Sequence, residues 1–461
     1  MATRPCGWIA LMALGLAVLA CGGPTPPPST TAPRPTATAS LPTELPTATT
    51  PLPTELPTAS AARPQIVNTA VIHKPGDSWR LVGELANNTG QTVSNVALHI
   101  EWFDASGASL GSDSADLLTT HVAPGETAPF IYNVYTTGLQ IAHFTAAITQ
   151  STADATPRSA ASAVLVKSPS VKVDAFGNFH CVGELDNISG QPVDIEGLAA
   201  GLFDHNGAMF SADSFWAAGQ HLEPGGSTPY RISPEGLAGA VAADYTCKVY
   251  VDAVAAAPAT PPAIIVKDAN GNGNFTDDLR FYQDVYGGIH LVGEVMNAAN
   301  QPMTIKLIAG LYDAGGNVID ADYILLPVAV PPGETQAFDF NTLLTATAGF
   351  ARATVQADPY STAPAAAAQA PIKLGNVAIA HDKGAIVLTI DVLNDQPAAV
   401  KYATVMATAT DATGAAVAFN YTSTNEIAAG ATGSVILTLY LDPALDPNEL
   451  NVNVVALAPQ P

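Results

Sequence analysis

Few residues in this chain have types and spacings that could do chemistry, and most of those recur from one stretch to the next. Gly107-Ala108-Ser109-Leu110-Gly111 has the Gly-x-Ser-x-Gly spacing in which a strained strand-to-helix turn presents a serine nucleophile. Its surroundings argue against that use: the segment leaves an Asp-x-x-Gly turn, enters a strand, and has Met209 and Val318 at the sister positions of Ser109. A carboxylate recurs as Glu84, Glu184, Glu294 and Asp391. An acid or metal site needs several partners converging in one cleft. A carboxylate kept in every copy more simply caps the following Asn turn or pairs across strands. The nine histidines stand singly, without zinc spacing, and no Gly-rich loop precedes a helix. Trp79, Trp102 and Trp216 could stack on sugars, although Trp102 falls on the apolar side of a strand and reads as core. No catalytic residue is assigned, and the chain is expected not to be an enzyme.

Asp268-Ala269-Asn270-Gly271-Asn272-Gly273-Asn274, with Asp277 and Asp278 behind it, resembles the first half of an EF-hand calcium loop, whose oxygens alternate around a Gly-directed bend. The second half departs from that pattern, since the twelfth position is Leu279 and the residues before the loop do not read as a helix. Two readings stand: a calcium site built from Asp268, Asn270, Asn272, Asp277 and Asp278, or an Asn/Gly/Asp-rich surface insertion.

The chain opens with a short basic leader at Arg4 and an apolar run from Trp8 to Ala20, too short for a retained bilayer span. It ends in Val18-Leu19-Ala20-Cys21-Gly22, which resembles the lipobox of bacterial lipoproteins. The resemblance implies a signal peptide over 1–20, a diacylglycerol thioether on Cys21, export, and membrane attachment through that lipid. An ordinary secretory signal with an incidental Cys21 is the alternative. Cys6 leaves with the leader, so Cys181 and Cys247 remain for the folded part and are expected to pair. Such a link stabilises by about 4 kcal/mol in the chain-entropy picture; two buried free thiols are the other reading.

The 461 residues are 48% apolar and 12% charged, which calls for buried cores. The net charge of −23 repels phosphates, so no nucleic-acid partner is expected. Residues 21–64 form a Pro/Thr-rich stalk in which Leu41-Pro42-Thr43-Glu44-Leu45-Pro46-Thr47-Ala48 recurs at Leu52 to Ala59. In polyproline II form it would reach up to roughly 120 Å.

Beyond the stalk, Pro/Ala/Ser-rich breaks near 151–161, 255–262 and 357–371 separate four related stretches, 65–150, 162–254, 263–357 and a divergent 371–458. Leu81-Val82-Gly83-Glu84-Leu85-Ala86-Asn87 returns as Cys181 to Asn187, as Leu291 to Asn297, and in worn form as Thr389 to Asn394. Alternation then places Leu98, Ile100 and Trp102, with their sisters, on one strand face. Asp-x-x-Gly turns follow at 104, 204, 313 and 411, and Pro-Gly turns at 124, 224 and 332. Regular strands between turns predict an all-β chain of tandem immunoglobulin-like antiparallel β-sandwiches, each with its own core and no cleft shared among them.

Glu101-Trp102-Phe103-Asp104, Gly201-Leu202-Phe203-Asp204 and Gly310-Leu311-Tyr312-Asp313 are similar to the bacterial FxLYD-type domain, whereas the fourth stretch has Thr410 before its aspartate. That resemblance implies small extracytoplasmic sandwiches, common in lipoproteins, with no catalytic residues to carry over. The expected role is a non-enzymatic cell-envelope lipoprotein whose modules act as spacers, adhesion or ligand-binding units for an envelope protein or glycan. The alternative is an accessory component of an envelope transporter or hydrolase system with a site in one divergent repeat.

Overall fold

The computed structural model describes residues 63–459, apart from 75–77, 155–157, 159–162, 175–176, 215, 237–240, 261–262, 267–278, 344–348, 360 and 366–368. Cys21, the leader, nearly all of the stalk and the Asp268 to Asp278 loop lie outside the described residues.

The first sandwich sets the plan. Its strands are β1 (Gln65–Lys74), β2 (Ser78–Ala86), β3 (Thr92–Phe103), β4 (Ser109–Asp116), β5 (His121–Val122), β6 (Thr127–Val134) and β7 (His143–Asp154). One antiparallel sheet runs β1-β2-β6, and the other gathers β4, β5 and β7 around β3. Alternation aims Leu81 and Leu85 of β2, and Leu98, Ile100 and Trp102 of β3, into the space between the sheets, where Phe130 of β6 completes the core. Three further core clusters lie within 163–253, 264–357 and 372–458, the last of them built from aliphatic residues alone. Among the described residues no strand pairing joins two of the sandwiches, although Ala363–Pro364, within the 357–371 break, pairs with Met303–Thr304 of the third. The chain is therefore an all-β tandem of antiparallel sandwiches, as the period-two patterning required.

Turn chemistry recurs with the plan. Asp104 accepts the Ser106 and Ala108 amides on its side chain while the Gly107 amide donates to its carbonyl, and Asp204 and Asp411 repeat the arrangement. Gly125, Gly225, Gly333 and Gly430 all hold φ between 74° and 80°, the third position of a type II turn that disfavours side chains. Each of these glycine amides donates to the carbonyl of a buried asparagine: Asn87, Asn187, Asn297 and Asn394. The Asn87 side chain in turn donates to Gln91 and Val122 carbonyls, and the other three asparagines do the same at their sister positions. The asparagine thus serves the turn that sequence reasoning gave to the neighbouring carboxylate.

Cys181, on the strand Phe179–Asn187, is joined to Cys247, on Tyr245–Ala255, across the two sheets of the second sandwich, with a Cα–Cα distance of 6.0 Å. The expected pairing is therefore present, linking an early strand to a late one.

The sandwiches are not isolated beads. The outward face of β2 carries Arg80, Val82 and Glu84, and all three are buried. Val82 packs on Ala199, Phe203, Met209 and Tyr250 of the second sandwich. Val182 packs on Tyr312, Val318 and Ala321 of the third, and Val292 on Met406, Ala416 and Phe419 of the fourth. In the first three copies the sheet that holds β2 or its sister strand, the inner sheet, thereby docks on the other, outer sheet of the next copy. The break at 357–371 takes part: Asp358 is buried and accepts the Gln220 amide on Oδ1 at 3.2 Å, and Ser361 hydrogen-bonds Gln220.

Candidate functional site

The three junctions concentrate the buried charge of the chain. The column Arg80, His180, His290 and the column Glu84, Glu184, Glu294 both point out of their own sandwich. Glu84 accepts from Thr127 on β6 at 2.8 Å, from Asn68, and from Lys248 at 2.6 Å and Tyr250 at 2.8 Å on the following sandwich. Burial pushes its carboxyl up, yet these donors, Lys248 foremost, outweigh it and hold the group below the usual glutamate range. The recurring carboxylate does pair across strands, and it also clamps one sandwich to the next; at the second junction Glu184 accepts from Tyr312 at 3.3 Å.

Arg80 donates to the Ser211 hydroxyl and the Glu235 carbonyl at 3.0 and 2.9 Å and pairs with the Glu235 carboxylate. Close by, His121, Glu196 and Asp252 each bring a ligand atom within 4.8 Å of the others, the one such trio among the described residues. Arg158 already fills it, pairing with Glu196 and reaching Asp252 at 3.5 Å and His121 Nε2 at 3.2 Å. A guanidinium stands where a metal would, so no metal centre is assigned.

A chemically varied depression lies where three copies meet. Arg231 reaches from the second sandwich to Asp320 at 3.1 Å and Asp322 at 3.0 Å on the third, and also donates to the Thr342 carbonyl. Beside this cluster runs a groove of about 660 Å³. Its walls include Arg231, then Asp322 and Asp339 of the third sandwich, and Phe419, Asn420 and Tyr421 of the fourth. Aliphatic Ile324, Leu325 and Pro327 line one side. A cleft shared among copies thus exists, contrary to expectation, because face-to-face docking leaves strand edges of three units converging.

Asp339 on the groove wall belongs to a buried polar network. His290 lies between Asp339 at 2.7 Å and Asp284 at 3.3 Å, with the Tyr282 ring stacked 5.0 Å away. Burial pulls the imidazole down, but the two carboxylates outweigh it and its affinity for a proton is raised. Asp339 itself is pushed up by burial against the hold of His290, and Asp322 by burial against Arg231. The Asp339 side chain is only 5% exposed, and its Oδ1 has no hydrogen-bond partner. The Leu291 amide is a further backbone donor to that carboxyl. Tyr421, by contrast, is 48% exposed.

Ser109 opens β4 as an exposed hairpin residue in a strand-turn-strand setting, which is the wrong local geometry for a nucleophile elbow. Trp79 and Trp102 are core residues, with the Trp79 indole donating to the Leu139 carbonyl at 3.0 Å. The calcium candidates Asp268, Asn270, Asn272, Asp277 and Asp278 lie outside the described residues. Sequence reasoning missed Arg231, Asp322, Asp339 and His290. A signal existed: Asp339 interrupts Phe338 and Phe340, and Asp320 and Asp322 sit inside the otherwise apolar strand Val318–Leu325.

No protein-family profile matches the chain, and no curated protein matches it. Among solved structures, a β-glucuronidase from glycoside hydrolase family 2 aligns at 11% identity and TM-score 0.15, covering 47% of this chain and 22% of that one. A Salmonella alpha-2-macroglobulin reacted with methylamine aligns at 10% identity and TM-score 0.13 over 86% of this chain and 28% of its own. A trypsin-activated alpha-2-macroglobulin from Escherichia coli gives 12% and 0.12 over 88% and 31%. The chain spans under a third of those proteins' lengths.

Proposed function

We propose that this protein is an exported, lipid-anchored, non-enzymatic array that holds a ligand-binding groove away from the membrane on a Pro/Thr-rich stalk. The observation that carries the reading is the docking of each sandwich's inner sheet on the next, which assembles one groove from the second, third and fourth units. Packed junctions suit a display role because a recognition surface built from several domains keeps its geometry only when those domains are mutually fixed. Groove walls of mixed aliphatic, aromatic and polar character suit binding. Anchoring is supported by Val18-Leu19-Ala20-Cys21 behind an apolar leader. The deciding experiment is mass spectrometry of the N-terminal peptide from membranes: a Cys21 N-terminus with thioether-linked diacylglycerol is expected, and an unmodified Cys21 inside a longer secreted chain would overturn the anchoring.

A further inference from the structure

One strand column is paired on both sides in three copies and on one side in the fourth. It holds Val93, Val193, Met303 and Val400, each at the same distance past the buried asparagine of its copy. On one side these residues pair with Val122, Leu222, Val330 and Ile427. On the other side Val93 faces Ala153, Val193 faces Ala255 and Met303 faces Pro364. The chain leaving each of these copies therefore lies along its edge. The seated stretches are Thr152-Ala153-Asp154, Val254-Ala255-Ala256 and Ala363-Pro364-Ala365, all built from small side chains, valine being the bulkiest. In the second and third copies the Ala256 and Ala365 amides donate to the Pro192 and Pro302 carbonyls at 2.8 and 3.0 Å.

The fourth copy keeps only half of this arrangement. Val400 donates to and accepts from Ile427 at 2.9 and 2.8 Å, and among the described residues no strand lies along its other side. The last strand, Asn451–Pro459, follows Thr404–Thr410 as far as the Thr404 to Leu457 pair, and over Leu457 to Pro459 it pairs with Gln369–Pro371. Between this strand and the Val400 segment opens a cavity of about 740 Å³. Buried Ile372 and Ala458 contribute apolar surface to it, and Gln396 to Lys401 form one wall. Ala399, the sister of Pro192 and Pro302, is exposed, and its carbonyl has no backbone donor among the described residues. An unpaired strand edge is a template for another chain.

We propose that this edge is a strand-addition site for an extended partner peptide of small residues and proline, seated along Ala398 to Lys401 as Ala363-Pro364-Ala365 is seated on the third copy. The Ala399 carbonyl accepts the peptide amide that follows the proline, the bond that the Pro302 carbonyl makes with Ala365. Main-chain bonds supply affinity and the cavity selects the side chains. Proline is tolerated because the added strand is an edge. The site shares no lining residue with the groove walled by Arg231 and Tyr421, so the two stand or fall separately.

The test is a nuclear magnetic resonance titration of the full chain, methyl-labelled at alanine, with the acetylated and amidated peptide Ser-Thr-Ala-Pro-Ala, the sequence of residues 361–365. Saturable shifts centred on Ala370, Ala398, Ala399 and Ala458 are expected. The same peptide N-methylated at its last alanine should bind about tenfold more weakly, because one ladder bond is lost. Ala399→Trp, which puts a ring at the cavity wall, should weaken binding by at least as much. If that variant unsettles the fourth sandwich, the N-methyl comparison on the unaltered protein still decides. No saturable shift at millimolar peptide, shifts centred elsewhere, or equal binding of the N-methylated peptide would overturn the proposal.

Discussion

Single residues do most of the joining in this chain. Glu84 is held below the ordinary glutamate range because Lys248, Asn68, Thr127 and Tyr250 all donate to it. A carboxyl depressed on folding adds stability at pH values above its unfolded value, near 4.5, and that stability drains away as pH falls toward the lower folded value. Acidification from pH 5 downward should therefore loosen the first junction. Glu84→Gln should cost about 1–2 kcal/mol at neutral pH and flatten the acid limb of stability against pH, as read by urea denaturation across the series. An acid limb of unchanged steepness in the variant would contradict this role. The disulfide gives a second test at the same scale: Cys181→Ser with Cys247→Ser should lower stability by about 4 kcal/mol, seen as a fall in the melting transition of the second sandwich. The cysteine pair was legible in sequence because few thiols were available. The clamp role of Glu84 was not, because its partners Lys248 and Tyr250 lie more than 160 positions away.

At the scale of strands, sequence patterning resolved one face and hid the other. Leu81 and Leu85 alternate inward as expected, but Arg80, Val82 and Glu84, on the opposite face of the strand, are buried as well. Alternation of apolar and polar residues ordinarily marks a half-solvated strand. Here the polar members are satisfied across a junction, and no periodicity distinguishes a charge facing water from one facing the next domain. Glycine supplies the clearer mark. A Cβ at Gly310 would meet Cγ of Pro229, on the preceding sandwich, at 2.7 Å, whereas the first copy has Glu101 in this column with no sandwich docked before it. Gly310→Val should cost about 1–3 kcal/mol by forcing the second junction apart. Hydrogen exchange should quicken in the strands Val318–Leu325 and Ser227–Ile232 and stay unchanged in β2 and β6 of the first sandwich. Uniform protection throughout would mean that the junction yields without cost.

For the whole molecule, the question is whether four cores behave as one. In a linear array, stability is the sum of each unit's own term and its nearest-neighbour interfaces, and terminal units need outer faces that tolerate water. The first and fourth copies have such faces. The first copy places exposed His99 and half-buried Glu101 in the columns that hold Ala199 and Gly201 in the second, and the fourth places exposed Thr389 where its sisters have Val82, Val182 and Val292. Removing residues 369–461 would strip this protection from the third copy, exposing Val292, Val328 and Ala337 to water along with the Tyr282 ring. The Tyr282 hydroxyl would also lose the Tyr440 carbonyl, its acceptor at 3.0 Å. The shortened chain should melt its third sandwich several degrees earlier in calorimetry and self-associate on sizing columns, because an apolar sheet face is then left uncovered. Placing an aspartate at Val292 in that shortened chain should restore the monomer without restoring the melting temperature, since solubility follows the covered face and stability follows the lost interface. A shortened chain that stayed monomeric and melted as before would mean that the junctions transmit no stability, and that the groove at their meeting point is held open by nothing more than proximity.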